Sequence, residues 1–122
     1  MPEYHLGEIE ARFADLIWDR QPIPSGQLVA LCQQQFQWKK STTYTVLRRL
    51  CQRGLFENKD GQVRALVSRE QYLTARSTDF VDSTFGGSLP RFLTAFTGGK
   101  RLSEEELTQL TALIERHRRG GE

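Results

Sequence analysis

The segment from Lys39 to Gly54, KKSTTYTVLRRLCQRG, constrains the fold of this chain more than any other part of it. Its least polar side chains recur every three or four residues, which is the spacing of one face of an α-helix. Ser41 or Thr42 can cap the first turn, and Gly54 can end the helix in the left-handed conformation. The segment therefore predicts a short amphipathic helix over residues 41–53 with these inward-facing side chains: Thr43, Val46, Leu47 and Leu50.

The opposite face of this helix is polar and nearly free of acidic side chains. It carries Ser41, Tyr44, Thr45, Arg48 and Gln52. Hydroxyl, amide and guanidinium groups on an exposed helix face suit the major groove of DNA. The charge distribution agrees, because residues 38–76 hold nine basic and three acidic side chains although the 122-residue chain has a formal net charge of only +2. A solvated basic surface is the alternative interpretation.

The rest of the first half divides at turn residues. Apolar spacing predicts a first helix that ends near Arg20 and a second helix that Ser25 caps. After the glycine the period changes to that of strands, and Asp60-Gly61 is a strong hairpin-turn signal. The order helix, helix, helix, hairpin is that of a winged helix-turn-helix, with residues 56–67 as the wing. We therefore expect a winged-helix DNA-binding domain over residues 1–68.

The second half, residues 69–122, is expected to form a helical dimerisation domain, so the fold class is mainly α with a small β-hairpin. Ser68 and Ser103 begin capping boxes, and double glycines separate three short helices that are unusually apolar on one side. A two-fold homodimer would cover these apolar faces, whereas folding back onto the first domain is the alternative. The expected dimerisation residues are Phe80, Leu89, Phe92, Leu93, Phe96, Leu107, Leu110 and Ile114.

Nine residues are expected to contact DNA. They are Lys39, Lys40, Ser41, Thr42, Tyr44, Thr45, Arg48, Lys59 and Arg64. Arg48 is the strongest candidate, since its guanidinium suits both bases and phosphates. Lys39 and Lys40 would reach backbone phosphates, where contact fixes the register of the protein without reading sequence.

Some of these residues have equally simple structural roles. Ser41 or Thr42 can act only as a helix cap, Tyr44 can lie at the rim of the core, and the basic side chains of the hairpin can be merely solvated. Arg49 lies at the flank of the helix, where an ion pair with Glu8, Glu10 or Asp15 of the first helix is as plausible as a contact with DNA.

The chain resembles the penicillinase-repressor family of winged-helix transcriptional regulators (BlaI/MecI/CopY-like). Leu6-Gly7-Glu8-Ile9-Glu10 and Leu16-Ile17-Trp18 resemble the opening of that family. Residues 41–50 with Gly54-Leu55 are similar to its Thr-Val-Tyr-Thr-Leu-Leu-x-Arg-Leu…Lys-Gly-Leu signature, and Leu102-Ser103 precedes the final helix as in the family. The resemblance covers nearly the whole chain and implies a homodimeric repressor that binds a palindromic operator.

The resemblance also implies how such a repressor is released. In the beta-lactamase branch, a membrane sensor metalloprotease triggers cleavage before a phenylalanine that aligns with Phe96. Here Ala95 precedes that phenylalanine, where the best-known members have asparagine. The copper-responsive branch ends in paired cysteines, and this chain has no cysteine after Cys51. The inducing signal is therefore left open.

Other function classes have little support in the sequence. The first ten residues are polar and acidic, so no signal peptide is expected, and no apolar run reaches the roughly 18 residues of a membrane span. Cys32 and Cys51 are expected to be reduced thiols in a cytoplasmic protein. No catalytic, metal-binding or cofactor-binding motif stands out, so we expect no enzyme activity, metal or cofactor. A protein-interaction module or a small-molecule sensor is the alternative function.

Overall fold

The computed structural model describes residues 5–120, and its elements are mainly helical with a small sheet. In chain order they are α1 (Glu8–Arg20), β1 (Ile23–Pro24), α2 (Ser25–Phe36), α3 (Lys40–Gln52), β2 (Phe56–Lys59), β3 (Gln62–Ala65), α4 (Arg69–Phe85), α5 (Leu89–Gly99) and α6 (Glu104–Arg118). This order confirms the expected fold class, a winged helix followed by a helical region. The chain forms two compact units, Met1–Asp79 and Phe80–Glu122, while the domain boundary expected after residue 68 stays a prediction.

The first unit has one apolar core built from the inner faces of three helices and the sheet. Its largest fully buried side chains are Phe13, Phe56, Ile17, Ile23, Leu28, Leu47, Leu50, Leu55 and Val63. Helix α3 buries Thr43, Val46, Leu47 and Leu50, which are the four side chains that its spacing predicts to face inward. Since these four residues hold α3 against the core, the opposite face of the helix is free to meet a partner.

The sheet has three antiparallel strands in the order β1-β3-β2. The hairpin of β2 and β3 turns at Asp60 and Gly61, which both have positive φ, 54° and 78°. This is the backbone conformation that an Asp-Gly hairpin turn requires. Strand β1 was not expected, because its two residues lie in a proline-rich segment that reads as a helix break. It pairs through Ile23 opposite Val63, and burial of both side chains fixes the pairing.

The ends of two helices differ from the sequence-based expectation. Helix α3 begins at Lys40 with Lys39 as its N-cap and no side-chain cap hydrogen bond. The expected capping by Ser41 or Thr42 is therefore wrong, because both residues lie inside the first turn. Gly54 follows the helix with φ of 86°, as expected. The expected stop at Gly98-Gly99 is also wrong by two residues, since α5 continues through both glycines and Lys100 caps it.

The second unit contains the end of α4 with α5 and α6. Four phenylalanine rings form a cluster in which Phe85 and Phe92 are 5.6 Å apart, Phe80 and Phe92 6.0 Å, and Phe92 and Phe96 6.0 Å between centroids. Neither α5 nor α6 contains a buried residue. The helices of this unit therefore leave most of their apolar surface uncovered within the single chain.

Candidate nucleic-acid interface

Helix α3 presents a continuous polar stripe on its exposed side. Ser41, Thr45, Arg48 and Gln52 are all exposed and repeat every three or four residues, so they lie on one face. Lys39, Lys40 and Thr42 are exposed at the start of the helix. The structure thus brings together seven of the polar side chains that the sequence singled out. All seven are exposed, so a ligand as large as a DNA duplex can reach them.

Arg48 stands at the middle of this stripe. Among residues 5–120, no acidic side chain forms an ion pair with its guanidinium. It lies beside a crevice of about 220 Å³ between α3 and β2, which Tyr44, Leu47, Cys51 and Asn58 also line. Asn58, an exposed amide on the wing strand, was not expected to belong to this surface. Because the guanidinium is uncompensated and accessible, it can donate to base edges or to phosphate oxygens.

Tyr44 connects three elements of the surface. It is half-buried, and its hydroxyl donates a hydrogen bond to Ser25 Oγ at the start of α2, over 3.0 Å. The backbone N–H of Ser25 donates in turn to the carbonyl of Gly61 in the wing turn, over 2.8 Å. The tyrosine therefore joins α3 to α2, and Ser25 in turn joins α2 to the wing. Its hydroxyl already has a protein partner, so its expected contact with DNA stays a prediction.

Arg49 points away from the polar stripe and toward α1. Its Nη1 lies 3.1 Å from Glu10 Oε2, and Arg53 Nη1 lies 4.0 Å from Glu10 Oε1. Glu10 Oε1 also accepts from the backbone N–H of Gly7 over 3.1 Å. Although partial burial by itself raises the pKa of Glu10, the Gly7 hydrogen bond and the two guanidinium groups outweigh it and bring this pKa below its ordinary value. Of the alternatives left open for Arg49, the structure shows the ion pair with Glu10.

The wing places its basic side chains unequally. Lys59 and Arg64 are both exposed, on either side of the Asp60-Gly61 turn. Arg64 Nε lies 3.8 Å from Glu57 Oε2 on the neighbouring strand, so part of its charge is compensated. Since the side chain of Arg64 is 53% exposed and that of Glu57 is 38% exposed, the pair is weak and can open for another anion.

The second unit carries the residues expected at a dimer interface. Five of them are between 41% and 56% exposed in the single chain: Phe80, Leu89, Phe96, Leu107 and Ile114. The other three, Phe92, Leu93 and Leu110, line an apolar groove of about 350 Å³ with Phe96, Leu102 and Leu113. Leu113, which is 47% exposed, belongs to this surface although it was not among the expected residues. We call the exposed and groove-lining apolar residues of α5 and α6 the apolar face.

The expected cleavage site lies inside a helix. Ala95 and Phe96 are exposed, but both belong to α5. A peptide bond in a helix must unwind before it can enter an extended protease cleft, and the two glycines at the end of α5 lower the cost of unwinding that turn. Cleavage between these residues stays a prediction.

Residues 5–120 contain no cluster of side chains suited to a metal ion, since no group of three or more His, Cys, Asp or Glu side chains converges there. Cys32 and Cys51 are both free thiols in the structure. No helix in that range has the length and apolar character needed to cross a membrane.

Comparison with known proteins matches this chain to one family along almost its entire length. The family model described as "Penicillinase repressor" matches residues 6–116. The penicillinase repressor of Bacillus licheniformis is 24% identical over 117 residues, covering 93% of this chain and 91% of that protein. The methicillin resistance regulatory proteins MecI of Staphylococcus aureus Mu50 and of Mammaliicoccus sciuri are 23% and 22% identical over 115 residues, each covering 91% of this chain and 94% of the relative.

Proposed function

This protein belongs to the penicillinase repressor family, and we propose that it is a DNA-binding transcriptional repressor. It binds a palindromic operator as a homodimer, through the helix over residues 41–53 and the wing over residues 56–67. Its relatives are named as a penicillinase repressor and as methicillin resistance regulatory proteins. A signal that acts on the C-terminal helices releases it, in the simplest case through a membrane sensor protease.

The observation that carries this proposal is the exposed stripe of α3. A helix that is anchored by four buried residues presents hydroxyl, amide and guanidinium groups along its other side. These groups match the acceptors of base edges and phosphates in the major groove. The wing, which is tied to α2 through Ser25 and Gly61, holds Lys59 and Arg64 beside the same surface for backbone contacts.

The homodimer is supported by the apolar face of α5 and α6. Uncovered apolar side chains cost free energy in water, and a second copy of the chain would bury them. In a two-fold dimer the two α3 helices would enter successive major grooves, about 34 Å apart along the duplex. A palindromic operator follows from that symmetry.

Selection of duplexes from a random pool of double-stranded DNA tests the proposal. The full chain should enrich an inverted repeat, and the logarithm of its affinity should fall linearly with the logarithm of salt concentration because bound phosphates release counterions. Recovery of unrelated sequences with no repeat would contradict the palindromic operator. Absence of salt-sensitive binding would contradict DNA binding altogether.

The groove between α5 and α6 favours a second function, the sensing of an apolar small molecule. Its walls include Phe92 and Phe96, and its volume of about 350 Å³ falls in the range of small-molecule pockets. Native mass spectrometry of the chain purified from its own host separates the two uses. A retained small molecule supports sensing, whereas a dimer of bare chains supports a groove closed by the second copy.

A further inference from the structure

The first turn of α4 is tied to α1 by a single arginine. Arg69 Nη2 lies 2.7 Å from Asp19 Oδ1 and 3.1 Å from Asp15 Oδ1, and Arg69 Nε lies 3.2 Å from the same Asp15 oxygen. One guanidinium therefore bridges two carboxylates that stand one turn apart on α1. All three residues belong to the first unit.

An aromatic contact supports the same junction. The guanidinium of Arg69 lies 5.6 Å from the ring centroid of Trp18, within the range of a cation–π interaction. The indole N–H of Trp18 donates to the carbonyl of Val67 over 2.9 Å, just before α4 begins. The same ring packs against Tyr72 of α4 at 5.3 Å and against Phe56 of β2 at 5.5 Å. We call Arg69, Asp15, Asp19 and Trp18 the α4 clamp.

The geometry of the α4 clamp requires arginine. Two carboxylates on one side of a helix repel each other, and the planar guanidinium satisfies both while it also lies over the indole ring. A lysine ammonium is a compact charge that cannot make the same set of contacts. The side chain of Arg69 is 35% exposed and those of the two aspartates are just over half exposed, so the pairs alone add little to stability. Together with the contacts of Trp18, they hold the first turn of α4 against α1.

Helix α4 is also the element that continues from the first unit into the second. It begins at Arg69, and Phe80 to Phe85 of the same helix belong to the second unit. Resting on the proposed function, we propose that Arg69 is a positioning residue for operator recognition. By holding the first turn of α4 on α1, Arg69 limits the half-site spacings that the two α3 helices of a dimer can bind together.

The test compares full-length wild type with Arg69→Gln, with Arg76→Gln as the matched control. Arg76 lies on the same helix, and its loss changes the charge equally, while no ion pair in residues 5–120 involves it. The probes are the inverted repeat that wild type selects from a random pool, the same repeat with its half-sites moved apart or together, and a duplex with one half-site. Affinities are measured by fluorescence anisotropy at one salt concentration.

We expect Arg69→Gln to bind the selected repeat about tenfold more weakly, which is a typical coupling between two sites. It should bind the single half-site like wild type, and its preference among spacings should flatten. Arg69→Lys should show the same loss in part, whereas Arg76→Gln should keep the wild-type spacing preference.

Two results would overturn the inference. One is an Arg69→Gln variant with unchanged affinity and unchanged spacing preference. The other is an equal loss on the single half-site and on the repeat, which would make Arg69 a residue of general stability. If the wild type selects no inverted repeat, the proposed function is wrong, and so is the role of Arg69 in half-site spacing.

Discussion

Arg48 and Arg49 are adjacent in the sequence, but their surroundings give them different roles. Arg48 is exposed on the polar stripe of α3, and no acid in the described part of the chain compensates it. Arg49 is paired with Glu10 of α1 at 3.1 Å. At the scale of the residue, the first arginine is available to a polyanion and the second fixes the end of α3 to α1.

Replacement of Arg48 by alanine should weaken binding to the selected operator by about 1–3 kcal/mol, the usual cost of losing a bidentate contact with a base. The loss should relax sequence preference at one position of each half-site. Arg101→Ala is the control, because this arginine is exposed between α5 and α6 and its loss changes the net charge equally. Equal affinities of the two variants in a band-shift titration would refute the assignment of Arg48.

The lowered pKa of Glu10 predicts that the free energy of unfolding depends on pH. Its pKa in the folded chain is below its ordinary value, so its contribution to the free energy of unfolding is fully present above the unfolded-state pKa of about 4.3 and is lost as pH falls through the folded-state value. Glu10→Gln should therefore cost about 0.5–1 kcal/mol at neutral pH and almost nothing in strong acid.

Urea titrations at several pH values measure that difference. Glu8→Gln is the control, because Glu8 shares the first turn of α1 and its helix-dipole effect without an ion pair to α3. A cost for Glu10→Gln that is the same at neutral pH and in acid would refute the role of the ion pair.

At the scale of the element, α3 is defined as much by its ends as by its faces. Gly54 follows it with φ of 86°, and Leu55 donates its N–H to the carbonyl of Leu50 over 3.1 Å. This left-handed residue lets the chain leave the helix and enter β2 directly. The helix and the wing are therefore positioned by one short turn.

Replacing Gly54 by alanine measures how much the left-handed backbone of that turn depends on glycine. An added Cβ would meet no atom within 4 Å, so the loss in free energy of unfolding should be purely conformational and about 1 kcal/mol. Gly26→Ala is the matched control, since Gly26 is helical and equally uncrowded, and it should stabilise the chain by a similar amount. Thermal unfolding followed by circular dichroism gives both values. If both variants changed the free energy of unfolding in the same direction, the conformational role of Gly54 would be refuted.

At the scale of the whole molecule, the two units differ in how completely they bury their apolar residues. The first unit has a core of buried side chains, while α5 and α6 have none. Their apolar residues are arranged along grooves, and Leu113 lines both the groove with Phe92 and a second apolar hollow with Leu89 and Ile114. A partner chain is the natural cover for such a face.

Leu113→Glu should therefore convert the proposed dimer into a monomer, because it would place a charge in the apolar face. Thr108→Glu introduces the same charge at an exposed position on another side of α6 and should leave the dimer intact. Sedimentation velocity gives the mass of both variants. A dimeric Leu113→Glu variant, or a monomeric wild type at micromolar concentration, would refute this interface.

Much of this architecture could be predicted from the sequence because local rules decide it. The inward face of α3, the glycine after it, the Asp-Gly turn and the Ser103 capping box each depend on residues a few positions apart. What could not be predicted depends on contacts between distant segments. Strand β1 exists only because β3 pairs with it, and the partners of Tyr44 and Arg69 lie 19 to 54 residues away.

In the candidate site, too, contacts between distant segments could not be predicted from the sequence. The sequence indicates which side chains of α3 are polar, but only the structure separates Arg48 from Arg49 and adds Asn58 to the surface beside it. The first-turn position of Ser41 and Thr42 was missed because α3 begins at Lys40, and its N-cap Lys39 makes no side-chain cap hydrogen bond. Such an end is set by packing of the following turns rather than by the capping preference of one residue.

The uncovered apolar face of α5 and α6 has a consequence for how sharply a gene could respond. When two copies must meet on that face before they hold an operator, the concentration of dimer at low protein levels varies with the square of the concentration of chain. Removal of half the chains would then lower the concentration of dimer about fourfold under those conditions. A modest rate of proteolysis or of dilution by growth would thus be enough to switch transcription on.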